Sequence, residues 1–509
     1  MKKMEKEKKS EKQRLSLLQV LKILAAIFLV CLYPCIFMYV SNLGETHIGK
    51  ICIPLIAFLC VAFVVILINK LIFKNPDKAG VLTCLFMLFF VNFNFLTKIL
   101  CSVIGSLSYK ASCIIVLILG CIILAVFMIK KFDYEAINLI VVIVFGTLIV
   151  VNFLSAIPKF SDMGKVDGFV EVKEYAKKRD KKPNVYYVFL DEYGGSDNLK
   201  YYYDFDNKEF NDFLVDNKFS VSENTRNYEG MLTKELLPNM VNMEYVTKAG
   251  GLQNNNMKYM EDPVLFRFFK EMGYDINVIN HMNFIKNKDV KTLFESTDEC
   301  VENAGVGSDD IDNLLISNSA ISTIFMCMGA KSSTYDAYRD DLKNMFSAFK
   351  DCYKETGKDS TFTFSYLQVP HAPFVFDENG NNVDDSKVNS FTEKELYINF
   401  MKYVNKQIEE FITNVRVNDP DSVIVIQSDH GSRYAMFRMK DYKKSDYDAE
   451  LETEKMQNAL NCVYIGGEDF NIEGLTAVNT WRRVLNHVFG TNYEDISTEE
   501  YIYKWKPAF

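Results

Sequence analysis

The long apolar runs of this sequence all lie in its first third. A helix needs about 20 apolar residues to cross the hydrocarbon core of a bilayer, and five runs approach or reach that length. They predict five transmembrane helices within residues 1–157, the third of which is interrupted by Asn92 and Asn94. Because polar side chains inside a span usually face other helices, we expect these asparagines at helix contacts, with the lining of a substrate path as the alternative. The predicted spans are Leu21–Ser41, Ile51–Asn69, Gly80–Thr97, Ala111–Met128 and Ala136–Ile157.

A different pattern follows the spans. Residues 158–182, which end in KKRDKK, are predicted to be a linker. In residues 183–509, short apolar runs alternate with segments of helical periodicity, which predicts an α/β domain with a mostly parallel sheet between helices. Ligands of such sheets bind beyond the carboxyl ends of the strands. The predicted strands are Val185–Leu190, Ile276–Ile279, Thr361–Gln368 and Val423–Ile426, and the predicted helices are Phe210–Phe219, Pro263–Gly273, Asp310–Met328, Tyr335–Tyr353, Thr392–Val415 and Val478–Phe489.

The distribution of basic residues predicts the orientation of the spans. The N-terminal tail carries seven Lys or Arg, the second loop adds Lys70, Lys74 and Lys78, and the fourth adds Lys130 and Lys131. The first and third loops together hold only three lysines. Because Lys and Arg accumulate on the cytoplasmic side, we expect a multi-pass plasma-membrane protein with a cytoplasmic N-terminus and an extracellular C-terminal domain.

The two parts of the chain differ in net charge. Residues 1–157 contain 16 Lys or Arg and 7 Asp or Glu, a net charge of +9, and since the whole chain carries −9, residues 158–509 carry −18. An acidic domain argues against nucleic acid as a partner and against adhesion of this domain to an anionic lipid surface.

Ionisable side chains follow two of the predicted strands. VYYVFLDEYGG places Asp191 and Glu192 after the first strand, and VIVIQSDHGSR places Asp429 and His430 after the last. A buried sheet does not end in carboxylates unless they are paired, cap a helix or bind a ligand. Capping a helix N-terminus is the alternative for Asp191. For the adjacent Asp–His pair, a divalent metal of the zinc or manganese type is favoured.

A third strand end carries a histidine. His371 stands in VPHAPF, directly after the predicted strand Thr361–Gln368. Its alternative role is that of a loop histidine held between prolines. Its position at the carboxyl end of a strand favours a place in the same site.

Together these motifs resemble a known group of enzymes. LDEYG, HAPF, SDHG and the late NTWRRVLNHVFG are similar to the sulfatase-like branch of the alkaline phosphatase superfamily. The five predicted spans make the chain similar, more narrowly, to lipoteichoic acid synthases and membrane phosphoethanolamine transferases. The resemblance covers residues 183 to about 490 and implies an extracytoplasmic sulfatase-like catalytic domain.

The resemblance implies one catalytic divalent metal. Asp191, Asp429 and His430 match the family's metal ligands, together with the nucleophile. Glu192 stands where sulfatases have a second acidic ligand and is a further candidate. His371 matches the histidine that contacts the substrate phosphate or the leaving oxygen. Arg433, in DHGSR, is either a phosphate contact or a surface residue.

The family's nucleophile is a Thr, Ser or modified Cys at a helix N-terminus after the first strand–helix unit. In RNYEGMLTKELLPNMVNMEYV, the ending NMEYV resembles the family pattern and points to Thr233, with Thr225 and Ser222 as fallback candidates. Thr233 would be both a metal ligand and the attacking group. Its alternative role is an N-cap of a helix that starts at Lys234. The formylglycine signature Cys/Ser-x-Pro-x-Arg is absent.

The implied activity is transfer of a phospho-head group, of the phosphoglycerol or phosphoethanolamine type, from a membrane phospholipid to a cell-surface glycan through phospho-threonine. One alternative is a membrane-anchored hydrolase of phosphate or sulfate esters on surface glycans. Another is a non-catalytic glycan-binding domain. The sequence leaves open whether the metal is manganese, zinc, magnesium or calcium.

Overall fold

The computed structural model describes sixteen stretches of the chain, and the chain divides into two compact units. Residues 1–165 and 308–332 form the first unit, and residues 166–307 and 333–509 form the second. The described residues are 17–41, 48–104, 107, 109–162, 182–223, 225–228, 230–246, 259–281, 285, 287, 289–296, 311–327, 335–356, 360–385, 387–438 and 448–499.

Five helices of the first unit are long and apolar enough to cross a membrane, counted over the described residues. This number confirms the five spans expected from the sequence. A short 3-10 turn at Ile48–Ile51 leads into the second helix. The helices are α1 (Leu17–Ser41), α2 (Cys52–Ile72), α3 (Pro76–Val103), α4 (Tyr109–Ile129) and α5 (Tyr134–Asp162).

The local sequence explains where α3 starts. Asn75 is its N-cap, and the side chain of Asn75 accepts a hydrogen bond from the backbone N–H of Lys78 at 3.1 Å. Pro76 occupies the first helical position. Proline lacks an N–H group, and an N–H at this position would have no partner within the helix. The helix therefore begins at the lysine-containing loop that is predicted to face the cytoplasm.

Two further helices of the first unit come from a distant part of the sequence. They are α10 (Ile311–Asn318) and α11 (Ala320–Cys327), which pack with the spans. The sequence pattern predicts one continuous helix, Asp310–Met328, in the extracytoplasmic domain. The structure instead has two helices that are separated at the buried Ser319. Helical periodicity alone cannot tell whether an apolar face packs on a sheet or on membrane helices.

The orientation of the spans gives a direct test. With the N-terminus in the cytoplasm, alkaline phosphatase fused after Ile157 should be exported and active, whereas the same fusion after Lys131 should be inactive. Immunoblotting of both fusions serves as the expression control. An active fusion after Lys131 with an inactive one after Ile157 would contradict the predicted orientation.

The second unit is built on one seven-stranded sheet. Its strand order is β2-β7-β6-β1-β5-β3-β4. β1 pairs in parallel with both β5 and β6, whereas β7 runs antiparallel to β6. The mostly parallel α/β architecture expected from the sequence is thereby confirmed. The strands are β1 (Val185–Asp191), β2 (Ser220–Val221), β3 (Asp275–Asn280), β4 (Lys291–Glu295), β5 (Thr361–Pro370), β6 (Val423–Ser428) and β7 (Asn461–Ile465).

Helices cover both faces of this sheet. Along β1, alternate side chains enter opposite cores, as strand geometry requires. Tyr186 lies against Phe411 on one face, and Tyr187 lies against Trp481 on the other, with ring centroids 5.9 Å and 4.8 Å apart. Burial on both faces accounts for the uninterrupted apolar sequence of β1. The helices are α6 (Ser196–Tyr203), α7 (Lys208–Asp216), α8 (Thr233–Asn242), α9 (Val264–Glu271), α12 (Asp336–Asp351), α13 (Lys394–Asn418), α14 (Tyr434–Phe437), α15 (Ala449–Gln457) and α16 (Ala477–Phe489).

Several elements are absent from the sequence prediction. β4 is amphipathic and only five residues long, and β7 is a short apolar run that ends at two glycines. Periodicity is ambiguous for such short runs, and it predicted Ile276–Ile279 and Val423–Ile426 but not β4 or β7. The predicted linker lies mostly outside the described residues, since residues 163–181 are not described.

Candidate metal and phosphoryl-transfer site

Sheet register brings the three strand ends together. β1 is the central strand of the three, with β6 on one side and β5 on the other. Leu190 pairs with Ser428, and Asp191 pairs with Pro370. The residues that follow these pairs, Asp429 and His371, therefore emerge beside Asp191 at the same edge of the sheet.

Asp191 is almost fully buried and binds two hydroxyl groups. Its Oδ2 accepts hydrogen bonds from Tyr366 at 2.8 Å and from Thr233 Oγ1 at 3.1 Å. Tyr366 lies on β5, where sequence reasoning gave it no role. A strand tyrosine looks like an ordinary core residue, and only the strand pairing shows that its hydroxyl reaches Asp191.

Thr233 is the first residue of α8, and Leu232 is the N-cap. Leu232 makes no side-chain capping bond. The predicted N-cap role of Thr233 is therefore not what the structure has, because the Thr233 hydroxyl donates to Asp191 instead. The neighbouring Glu235 accepts a hydrogen bond from the N–H of Met231 at 3.1 Å and so satisfies part of the helix terminus.

Asp429 and His430 are completely buried beside Asp191. Asp429 Oδ1 accepts hydrogen bonds from the backbone N–H groups of Glu192 at 3.1 Å and of His430 at 2.8 Å. His430 Nδ1 lies 2.8 Å from the carbonyl oxygen of Gly431. Since that carbonyl can only accept, Nδ1 carries the proton, and Nε2 presents a lone pair.

Three polar atoms at this point have no hydrogen-bond partner within the described residues. They are Asp191 Oδ1, Asp429 Oδ2 and His430 Nε2. Leaving one such buried atom unpaired costs about 1–3 kcal/mol, and more for a charged group. Ligand atoms of these residues lie within 4.8 Å of one another. Two carboxylate oxygens and one imidazole nitrogen that converge in this way fit a divalent metal ion.

Burial sets the protonation of these ligands. It raises the pKa of Asp191, and the negative charge of Asp429 adds to the effect. It also raises the pKa of Asp429, although the hydrogen bonds from two backbone N–H groups and the positive charge of Arg433 oppose the shift. Burial and the charge of Arg433 lower the pKa of His430 to about 4. The imidazole is therefore neutral at neutral pH, as a metal ligand must be.

Gly431 allows the chain to turn away from the ligand pair. A Cβ atom at this position would lie 2.4 Å from the carbonyl oxygen of Asn458 and 2.5 Å from the side-chain nitrogen of Asn198. Since Asn458 O is a backbone atom, any side chain would displace the loop. The glycine of SDHG is thus required by close packing.

Glu192 is buried next to the ligand group but is paired with Arg433. Its Oε1 accepts from the Arg433 backbone N–H at 2.8 Å, and its Oε2 accepts from Arg433 Nη2 at 3.1 Å. Burial opposes the charge of Glu192, but Arg433 and His371 outweigh it and lower its pKa to about 2. Glu192 also has a φ of 62°, a left-handed conformation that is strained for a non-glycine residue. Such strain is typical of functional sites.

Arg433 also contacts His371. Its Nη2 lies 2.9 Å from His371 Nε2, while His371 Nδ1 lies 2.6 Å from the carbonyl oxygen of Ala372. Nδ1 must therefore donate, and Nε2 accepts from the guanidinium. Arg433 Nε is buried without a partner among the described residues. Arg433 thus has a buried, unused donor in addition to those that hold Glu192 and His371.

The two fallback nucleophiles lie elsewhere. The Thr225 hydroxyl donates to the carbonyl oxygen of Leu475 at 2.9 Å and accepts from Asn461 at 3.0 Å. Ser222 is buried near β2, at the far side of the sheet from β5. Of the three candidates, Thr233 alone donates to one of the clustered carboxylates in the described part of the chain.

Comparison with known proteins gives one family match. The sequence model of the family described as Sulfatase matches residues 183–455. No curated protein matches the chain.

Solved structures to which this chain is similar include the following three. The C-terminal periplasmic domain of EptC from Escherichia coli in complex with Zn has 14% identity and a TM-score of 0.42, covering 64% of this chain and 87% of that one. The integral membrane lipooligosaccharide phosphoethanolamine transferase A from Neisseria meningitidis has 12% identity and a TM-score of 0.42, covering 91% and 95%. The lipoteichoic acid synthase LtaP from Listeria monocytogenes has 14% identity and a TM-score of 0.37, covering 66% and 78%.

The family match spans more than half of the 509 residues and contains Asp191, Thr233, His371, Asp429 and His430. It includes the parallel strands that position these side chains. The five apolar helices precede it in the chain. This protein therefore belongs to the sulfatase family and is a membrane-anchored enzyme of that family.

Proposed function

We propose that this enzyme transfers a phospho-head group from a membrane phospholipid to a cell-surface glycan, through a covalent intermediate on Thr233. One observation carries the proposal. The Thr233 hydroxyl donates to Asp191 beside three buried, unpartnered ligand atoms, at the N-terminus of α8. A helix N-terminus stabilises an incoming anion.

A divalent metal would be held by Asp191, Asp429 and His430, with the Thr233 hydroxyl as the fourth ligand. When bound, it acts as a Lewis acid that lowers the pKa of a ligated hydroxyl and neutralises charge on phosphoryl oxygens. Tyr366 fixes the Asp191 carboxylate, and Gly431 O fixes the His430 ring. The ligand atoms are thereby oriented before substrate binds, as second-layer hydrogen bonds do in metal sites generally.

In the first step, Thr233 Oγ attacks phosphorus, and the bond from phosphorus to the diacylglycerol oxygen breaks. Asp191, which already accepts the Thr233 hydrogen bond, is placed to receive the hydroxyl proton. A protonated His371 donates from Nε2 to the departing oxygen. The products are diacylglycerol and the phosphodiester of Thr233 with the head group.

In the second step, an acceptor hydroxyl attacks the phosphorus of this intermediate. Neutral His371 accepts the hydroxyl proton at Nε2, and the Thr233 oxygen regains a proton as it leaves. His371 is protonated again, ready for the next donor lipid. The proton that enters the first step on His371 is recovered in the second, so the cycle is balanced.

Arg433 donates hydrogen bonds to the phosphoryl oxygens of the substrate. Its buried Nε is an unused donor, and Glu192 holds the guanidinium in place. The guanidinium group of an arginine can donate two parallel hydrogen bonds to the oxygens of one phosphate. The phosphate of the substrate takes over the Arg433 hydrogen bond to His371, which leaves Nε2 available for proton transfer.

The membrane unit favours lipid as the donor, since one span would be enough for an anchor. Hydrolysis of a glycan-linked ester is the second candidate, because the same residues would activate water. An assay distinguishes transfer from hydrolysis. The full-length enzyme is incubated in vesicles that contain head-group-labelled phosphatidylglycerol or phosphatidylethanolamine. Diacylglycerol release with label on the glycan supports transfer. Cleavage of soluble sulfate or phosphate esters without lipid turnover would reject it, and Thr233→Ala vesicles give the background.

The role of His371 predicts a dependence on the leaving group. His371→Ala should reduce turnover of the lipid, whose alkoxide is a poor leaving group, by about 10²–10⁴-fold. It should have little effect on the first-turnover release of p-nitrophenol from a p-nitrophenyl phosphodiester, because that leaving group needs no acid. His487→Ala is the matched control, because His487 lies on α16 and pairs with Glu468. Equal losses on both substrates would show that His371 does not protonate the leaving oxygen.

A further inference from the structure

Two consecutive short helices, α10 and α11 (residues 311–327, called the hairpin below), are a feature that the proposed catalytic activity does not use. In the sequence it lies between β4 and α12 of the second unit, yet it belongs to the first. Leu315 is buried in the same apolar cluster as residues of α1 and α3, and Ile321 packs against that cluster. The hairpin is therefore part of the membrane unit rather than of the sheet domain.

A polar residue within a span holds this hairpin. Asn94 of α3 is 5% exposed, and its side-chain nitrogen donates to the carbonyl oxygen of Ser317 at 2.5 Å and to Ser322 Oγ at 3.2 Å. Its side-chain oxygen accepts from the Tyr109 hydroxyl of α4 at 2.6 Å. Tyr109 in turn lies 3.4 Å from Thr323 Oγ1. The hydrogen bonds of the Asn94 amide thus tie the hairpin to two spans.

The position of Asn94 places these contacts inside the predicted span Gly80–Thr97, close to its extracellular end. Asn94 lies 18 residues after Pro76, about 27 Å along the helix at 1.5 Å per residue, and 9 residues, about 13 Å, before Val103. Polar groups in hydrocarbon need internal partners. The contacts with Ser317 and Ser322 provide them, so the hairpin reaches the half of the bilayer that is predicted to be extracellular.

Exposed apolar side chains occur on both α11 and α3. Ile324 is 48% exposed, and Phe95 and Ile99 of α3 are 48% and 42% exposed. α11 contains no charged residue. An exposed isoleucine on a charge-free helix is favourable against acyl chains and unfavourable against water.

We propose that α10 and α11 lie in the outer leaflet, with Ile324 in contact with phospholipid acyl chains. This inference concerns lipid contact and stands independently of the catalytic proposal. Its partner is the bilayer, because Leu315 and Ile321 pack with the apolar side chains of the spans.

Tryptophan fluorescence in vesicles of dibrominated phosphatidylcholine tests this directly. The chain has only two tryptophans, so the emission added by Ile324→Trp can be measured against that of the unchanged protein. Val417→Trp is the matched control on an exposed position of α13, and Ile143→Trp is the reference on the lipid face of α5; these positions are 75% and 58% exposed.

Brominated lipid should quench most of the emission added at position 324, as at position 143, and little of that added at position 417. Quenching at 324 no greater than at 417 would overturn the proposal. If Ile324→Trp does not fold, Ile324→Cys and Val417→Cys are compared by labelling with a membrane-impermeant maleimide above the background of the unchanged protein. Protection of position 324 supports the hairpin in lipid, and equal labelling contradicts it.

Discussion

Replacing Asp429 with Asn is expected to remove most of the bound metal and to abolish turnover while the fold survives. Asn keeps the shape of the side chain, and its oxygen can still accept the N–H groups of Glu192 and His430. It lacks the negative charge that a divalent ion requires. Loss of an outer hydrogen-bond partner of a ligand costs about 10–100-fold in metal affinity, so loss of a direct ligand should cost more. Metal content by mass spectrometry and turnover are measured on the purified full-length protein.

A second ligand variant and a control variant complete this experiment. His430→Ala should behave in the same way, because it removes the unpartnered Nε2. Asp495→Asn is the control, since Asp495 forms a partly exposed ion pair with Arg483 away from the site. Circular dichroism reports whether the fold is kept. Full metal occupancy in both Asp429→Asn and His430→Ala would remove these residues from the ligand set.

Replacing Thr233 with Ala should reduce turnover by at least about a thousandfold, because the attacking oxygen is lost. Metal content should fall less than in Asp429→Asn, since Asp191, Asp429 and His430 remain. Thr233→Ser should retain part of the activity, because the hydroxyl is kept. Substrate turnover and metal content are measured in parallel.

Thr225→Ala separates the chemical role from a structural one. Thr225 is fully buried and hydrogen-bonded, so its loss should lower stability without abolishing turnover of the folded fraction. Turnover by Thr233→Ala at the level of the unchanged enzyme would exclude Thr233 as the nucleophile.

The strands that carry the site were predictable from the sequence. β1, β5 and β6 are buried on both faces, and all three were predicted, although β5 and β6 each extend two residues beyond the predicted end. Because parallel strands share a carboxyl edge, Asp191, His371, Asp429 and His430 were expected to lie near one another. The structure brings them together, whereas their catalytic roles remain predictions.

Other parts of the site depend on contacts that no local pattern encodes. Glu192 and Arg433 are 241 residues apart and meet only because β1 and β6 are neighbours. The Tyr366 hydroxyl points at Asp191 from within a strand. Thr233 opens α8 rather than capping it, because its hydroxyl binds Asp191 instead of the helix N–H groups.

Residues 311–327 show a different limit of prediction from sequence. The apolar periodicity of this segment predicts a helix, and the structure has two helices there. The partner of that apolar face is decided by Asn94 and Tyr109, which precede it by some two hundred residues. A helical pattern gives the buried face but not the surface that buries it.

The central claim is that Thr233 carries the phospho-head group between donor and acceptor. Full-length enzyme in vesicles is pulsed with labelled donor lipid in the absence of acceptor, quenched in acid, digested and analysed by peptide mass spectrometry. We predict the phospho-head group on the peptide that contains Thr233, and its disappearance when acceptor glycan is added. Donor turnover without any adduct, or an adduct on Thr225 or Ser222 with Thr233 unmodified, would contradict the assignment.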